Sequence, residues 1–478
     1  MKRLFDLKSF DAKPVKLIFF ILFIVIGIFV MIFRPLGGLD DTAQMMLGTL
    51  ISALSVWIFR PGSGSFFAGT AIVFLGGLFS GLQMPDLAVG FSAASMWMLI
   101  PAMFLGSALR ITGLGKRIVY AIFMRFNMTY PKILCGFFAV GLLFSLLTPS
   151  ITVRILIMAP IAVSVADAMR LDKKSKERSL VVLSAWACGI FPGIAWLDGS
   201  LFGIMFTSLL PTAEMRALVT PQLWFQFMAL PWILFSVVFL TALYIIFKPS
   251  EKFSLTKAVQ RKMYEDLGPV SGREKRCLIA FVFLLLGLVS QFFIQISTTQ
   301  VMLAAMFLIL ILKVMSVGDI STGINWDAVL FFGMILSLPH IFIVSGLNDL
   351  MSPMLLSFLT PIAFSPLLFV SALFGICLLL RFLDVSQGWI ISTILIMAAP
   401  MLFFDFGLHP MIIIMVLTAA SNIFLFRYHQ PWIDQTEFVC ADGGWDPRHL
   451  TAAALLYIAL AAVTLVFSRF YWGLIGVI

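Results

Sequence analysis

Charge is scarce in this chain, and paired cysteines, clustered histidines and catalytic motifs are missing from it. Only 12% of its 478 residues are Asp, Glu, Lys or Arg, against 61% hydrophobic residues, a balance that excludes a soluble globule and a disordered chain alike. The five cysteines, Cys135, Cys188, Cys277, Cys377 and Cys440, stand far apart and mostly in apolar segments. That spacing excludes a disulfide-stapled secreted module and a zinc site, and predicts free thiols in packed helices. No H-E-x-x-H, G-x-S-x-G or Walker A pattern occurs, so neither enzymatic activity nor a resident metal or cofactor is expected. The net charge is +9, but Lys and Arg gather in loops beside apolar runs. The positive-inside rule accounts for them there, without nucleic acid.

What the chain does have is a near-continuous series of apolar runs, the mark of a polytopic membrane protein. Lys2, Arg3, Lys8, Lys13 and Lys16 crowd the start of a run from Val15 to Phe33. It is too long for a signal-peptide core and predicts a first transmembrane helix with a cytoplasmic N-terminus. Further spans are expected at about 42–59, 65–83 and 88–109. Basic Arg110, Lys116, Arg117 and Arg125 follow, then apolar sequence over 131–168. Spans near 179–209 and 222–247 lead to the longest polar segment, residues 248–276, expected as a cytoplasmic loop. It divides a first half, 15–247, from a second, 277–475, within one membrane domain covering 1–478. The second half predicts spans near 277–295, 300–316, 326–346, 409–427 and 449–470, with a broken apolar region from 363 to 404.

Each half carries an interruption. In the first, Thr148-Pro149-Ser150 breaks the apolar sequence ahead of Ile151, Thr152, Val153 and Arg154. Proline removes an amide donor, and Ser and Thr offer spare oxygens. Such a break supplies carbonyls, hydroxyls and a half-helix N-terminus at a depth where lipid satisfies none of them. In the second, polar atoms cluster over Arg381 to Trp389. The halves also echo one another. Trp97 opens a span ending Thr112-Gly113-Leu114 and Trp326 one ending Ser345-Gly346-Leu347, while Ile-Leu-Ile-Met-Ala recurs at 155–159 and 394–398. With every basic loop inside, the first break enters from the cytoplasm and the second from outside. The fold expected is therefore all-α, with inverted repeats, each holding a re-entrant helical hairpin and an unwound transmembrane helix. Charge bias alone leaves two full crossings open at 131–168; the polar break favours the hairpin.

Ser150 and Thr152 offer hydroxyls to a substrate, or bond back to their own helix; Arg154 supplies positive potential, or snorkels. In the second tip, Arg381 and Asp384 are spaced to pair with each other, which leaves Ser386 and Gln387 to contact a carboxylate. Gly189-Ile190-Phe191-Pro192-Gly193 through Asp198-Gly199 reads as an unwound span or a kinked packing helix. Asp198 there holds a cation or proton, or pairs with a basic side chain. Candidate cation ligands are Ser150, the backbone near Gly189 and Gly193, Asp198 and Asp384. In the second half, Arg427 and His429 are either site residues or the end of a span.

These residues resemble the divalent anion/sodium symporter family of the wider ion transporter superfamily. Pro85-Asp86-Leu87-Ala88-Val89-Gly90-Phe91-Ser92 and Thr112-Gly113-Leu114-Gly115-Lys116-Arg117-Ile118 are similar to its early span and its T-G-L-G-x-R/K-I ending, and Ile324-Asn325-Trp326-Asp327 to its second-repeat opening. Thr148-Pro149-Ser150, Thr152 and Arg154 look most like the T-P-S-N-T-A-R form of the dicarboxylate/citrate exchanger branch, with Ile151 at the Asn position. Ser386-Gln387-Gly388 resembles that branch's S-Q-T-G tip, and Asn422 with His429 its later stretch, which makes Asn422 a substrate ligand. The resemblance implies a homodimer with an elevator-type transport region that binds carboxylate together with coupling sodium ions.

The expectation is a secondary active transporter of small organic anions, di- or tricarboxylates, in a cell inner membrane. Exchange is preferred over sodium symport, because Ile151 removes an amide. The alternatives left open are an inorganic-ion carrier of the same superfamily, for sulfate, arsenite or sodium/proton antiport, and a non-transporting membrane sensor or scaffold.

Overall fold

Where no water reaches the backbone, a spanning chain must satisfy its amides and carbonyls internally, and helix is the economical answer. A computed structural model describes residues 14–59, 66–125, 128–249, 254–291, 293–381, 387–426, 429–441 and 444–477. Among them, eight helices are long and apolar enough to cross a membrane, and five more apolar helices are shorter. Among the described residues, strand pairing is confined to a two-residue antiparallel match of Met128–Thr129 with Ser254–Leu255. All five cysteines are free; four are buried and Cys135 is exposed.

The chain forms two compact units, each drawing on both halves of the sequence. The first comprises Met1–Met96, Met205–Leu218 and Asn325–Ser421, the second Trp97–Ile204, Val219–Ile324 and Asn422–Ile478.

In the first unit, Trp326–Val344 is the spine. Asp327, in its first turn, accepts the Phe66 and Phe67 amides at 3.0 and 2.9 Å, and so caps Phe66–Phe79. The span expected at 88–109 begins differently: residues 84–92 form two short turns, Met84–Ala88 and Val89–Ser92, before Ala94–Thr112. Pro85 opens the first turn, and Gly90 lies so close to the spine that an added Cβ would stand 2.5 Å from the Ser337 nitrogen. Its amide donates to Ser337 Oγ at 2.9 Å. A helix beyond the expected spans, Leu347–Ala363, contains Pro353 and Pro361.

In the second unit, Tyr130–Leu147 and Ile151–Ala168 run on either side of the expected break, 18 residues each. Thr148 is extended, as a residue before proline must be. The span expected at 179–209 is Lys176–Ile190, two 3-10 turns at Phe191–Ala195 and Leu197–Gly199, and Leu201–Leu209. Beneath the turns, Phe191 stacks on Tyr457 at 5.3 Å and meets Phe235 and Phe239 edge-on.

The echo between halves extends to the backbone. Gly113 (φ +80°) and Gly346 (φ +78°) are both left-handed, a conformation in which a Cβ would crowd the carbonyl. After each, the leucine amide donates to the preceding hydroxyl: Leu114 to Thr112 and Leu347 to Ser345, both at 3.4 Å.

The described residues of the polar segment 248–276 include helix. Lys257–Glu265 is helical, and Arg117, buried, donates to Glu274 at 2.8 Å and to the Gly268 carbonyl at 3.1 Å, with its guanidinium over the Tyr264 ring. Burial opposes ionisation of Glu274, but hydrogen bonds from Arg117 and Ser271 outweigh it and hold the carboxyl below its ordinary value. The stability this gives is complete above the unfolded carboxylate range and lost as pH falls through the folded value. Glu274→Ala is expected to cost about 2 kcal/mol at neutral pH. Thermal unfolding of the variant should also show a smaller loss of stability on acidification than the parent chain.

Candidate functional site

The first break is held by its own side chains. Thr148 Oγ1 donates to the Ala102 carbonyl at 3.2 Å and accepts the Ser150 amide at 3.2 Å. Ser150 Oγ accepts the Val153 amide at 3.4 Å and so caps Ile151–Ala168. Thr152 Oγ1 accepts the Trp432 indole N–H at 3.3 Å. Local bonding is thus present at Thr148 and Ser150, and it fixes the N-terminus of this helix where the chain turns.

Arg154, one turn on, does not snorkel. It is fully buried, and none of its three guanidinium nitrogens has a hydrogen-bond partner among the described residues. Its guanidinium lies against the unwound stretch: a Cβ on Gly193 would collide with Arg154 Nη1 and stand 2.5 Å from the Gly199 carbonyl oxygen. Gly189 lies over Ile155 on the same helix, its would-be Cβ 3.1 Å from Ile155 Cγ1. Ser150, Thr152, Arg154, Gly189 and Gly193 therefore belong to one region of the second unit.

The unwound stretch is fastened by two indoles. Trp224 Nε1 donates to the Ile194 carbonyl at 3.0 Å, and Trp196 Nε1 to Ser145 Oγ at 2.8 Å. Asp198 accepts a 2.8 Å hydrogen bond from the Thr298 hydroxyl, which also bonds to Gln291.

Asn422 and His429 also lie in the second unit, each buried. Helix Pro410–Ser421 ends just before Asn422, and helix Pro431–Cys440 begins shortly after His429. Gln387 belongs to the first unit. It is buried and left-handed (φ +71°), followed by left-handed Gly388, and its Oε1 accepts the Trp389 indole N–H at 2.8 Å. Trp389 in turn packs on Phe206 and Phe332 at 5.2 and 5.3 Å. Ser386, Asp384 and Arg427 lie outside the described residues. Missed in the sequence were the partners: Trp432, Trp224, Trp196, Trp389 and Thr298. The available signal was tryptophan inside apolar spans, because a buried indole N–H usually finds an acceptor.

Residues 13–478 match a family model described as the sodium:sulfate symporter transmembrane region. A protein of Haemophilus influenzae named as an uncharacterized transporter is 28% identical over 328 residues, 65% of this chain and 67% of its own length. A membrane protein of Cupriavidus necator is 27% identical over 334 residues, 63% of this chain and 62% of that protein. Inner membrane protein YbhI of Escherichia coli is 24% identical over 315 residues, 63% and 65%. The matches thus span about two thirds of these relatives. The crystal structure of the YdaH transporter of Alcanivorax borkumensis, described as having an unusual topology, matches with a TM-score of 0.56 at 13% identity, over 91% of this chain and 98% of that one. At that identity the likeness is one of fold.

Gly193→Ala is expected to destabilise the chain by about 1–3 kcal/mol, because a guanidinium and a carbonyl already fill the space beside it. Gly189→Ala meets nothing nearer than Ile155 Cγ1 at 3.1 Å and should cost less. Parallel thermal unfolding of the two variants checks the order.

Proposed function

We propose that this chain, which belongs to the divalent anion:sodium symporter family, is a secondary active transporter of small organic anions, with di- and tricarboxylates as its substrate class. The observation that supports the anion reading is Arg154. A charge deep in apolar surroundings costs roughly 3 kcal/mol or more, and this one has no acceptor among the described residues for any of its nitrogens. A negatively charged substrate is the partner that offsets such a cost, and the capped N-terminus at Ile151 adds its dipole to the same potential.

In this reading Ser150, Thr152, Ser386, Gln387 and Asn422 are the polar ligands of the substrate. The backbone near Gly189 and Gly193, with Ser150, Asp198 and Asp384, is the candidate seat for coupling sodium. Exchange is preferred over symport, since Ile151 brings no amide to that seat. An elevator-type movement, a homodimer and an inner-membrane location complete the proposal, the last in keeping with the name of the Escherichia coli relative. A second reading, sulfate as substrate, is favoured by the description of the family model.

Counterflow in proteoliposomes with succinate, citrate and sulfate, with and without sodium, tests both. Trans-stimulated dicarboxylate uptake is expected. Arg154→Gln should lower it about 10–100-fold, and Ser150→Ala combined with Ser386→Ala should abolish it without loss of folded protein. Counterflow of sulfate alone selects the second reading, and undiminished uptake by Arg154→Gln removes the basis of the first.

A further inference from the structure

A cavity of mixed polarity lies away from the break, where Leu114–Phe123 and Ile151–Ala168 meet the end of Lys257–Glu265 and the segment that follows it. Its volume is about 270 Å³, and its lining includes Lys116, Tyr120, Ser164 and Asp266 with apolar Ile161 and Leu267. The walls are fixed by the residue next to Lys116. Arg117 points inward and holds the carbonyls of Leu267, Gly268 and Pro269 as well as Glu274. That clasp brings Asp266 and Leu267 to the cavity. Gly115, where a Cβ would meet Ile157 Cδ1 at 2.7 Å, lets the two helices approach closely.

The lining holds one cation, one carboxylate, two hydroxyls and an apolar wall. A purely anionic ligand would meet Asp266, and a purely cationic one Lys116; the combination suits a zwitterion. The volume is below the roughly 300–1,000 Å³ of pockets for drug-sized molecules, which suits a headgroup. Basic Arg110, Lys116, Arg117 and Arg125 on this stretch, and Arg170, Lys173 and Lys174 after the hairpin, point to the cytoplasmic membrane interface. Burial raises the Tyr120 phenol above its ordinary value, against a hydrogen bond with Ser164, so it remains a neutral donor.

We propose that this cavity seats the headgroup of a phosphatidylethanolamine molecule. Its phosphate meets Lys116 and the Tyr120 hydroxyl, beside Ser164, whose own O–H donates to the Pro160 carbonyl at 2.9 Å; its ammonium meets Asp266, and its chains leave past Ile161 and Leu267. A choline headgroup has no N–H to give Asp266, and a glycerol headgroup has no cation. The site is separate from the substrate reading, and its test does not use transport.

The full chain, purified in detergent, is titrated with dioleoyl ethanolamine, choline and glycerol phospholipids at equal mole fraction. Thermal unfolding and native mass spectrometry are the readouts, since a ligand that binds only the folded state raises the unfolding temperature. The ethanolamine lipid should raise that temperature most and remain bound longest during delipidation. Lys116→Ala and Asp266→Ala should each weaken its apparent binding about tenfold, whereas Lys262→Ala, on the neighbouring helix, should leave it intact. Lys116→Arg and Asp266→Glu should retain binding, which separates loss of the headgroup from loss of fold. Equal or greater stabilisation by the choline or glycerol lipid overturns the proposal, as does parental ethanolamine binding in both alanine variants. Equal protection by soluble glycerophosphoethanolamine overturns the lipid assignment.

Discussion

A helix that stops in an apolar surrounding strands its terminal amides and carbonyls, and the architecture follows from how those groups are satisfied. At Thr148-Pro149-Ser150 two hydroxyls serve the turn and cap the next helix. Along 191–199 indoles from Trp224 and Trp196 hold the bent chain, by a carbonyl in one case and through Ser145 in the other. Beside those anchors, Gly193 brings bare backbone against the Arg154 guanidinium, and Gly199 packs against the Gly193 carbonyl.

The local devices were legible in the sequence because each is written in adjacent residues. Pro149 with its flanking hydroxyls marked one break, Pro192 among glycines marked the unwound span, and the Thr-Gly-Leu and Ser-Gly-Leu endings appear as matching left-handed caps. What stayed hidden depends on distant partners. Thr152 meets an indole 280 residues away, and Asp198 a hydroxyl 100 residues away. The contacts of the connecting segment also stayed hidden, since Arg117 reaches the Gly268 carbonyl across 151 residues of sequence. Leu347–Ala363 escaped notice because Pro353, Pro361 and the polar Asn348-Asp349 pair weaken its helical pattern. Gln387 was legible as polar but not as engaged, since hydropathy does not reveal which way a side chain turns.

The site places permanent and borrowed polarity in one region. Arg154 brings a guanidinium to that region, while the helix N-terminus beside it contributes only partial charge from its amides. A ligand entering such a region meets backbone and hydroxyl donors whose positions are already set, so little ordering is left to the moment of binding.

Asp327 caps Phe66 and Phe67 from 261 and 260 residues further along, and Ser337 receives the Gly90 amide from 247 residues away. At roughly 5–20 residues per second, a ribosome reaches those partners about 12–50 s after the early helices emerge. Throughout that interval the nascent chain holds unmet amides in or near the bilayer. Assembly of the first unit is therefore post-insertional, and the insertion machinery, lipid headgroups or water must shelter those amides until the later spine arrives.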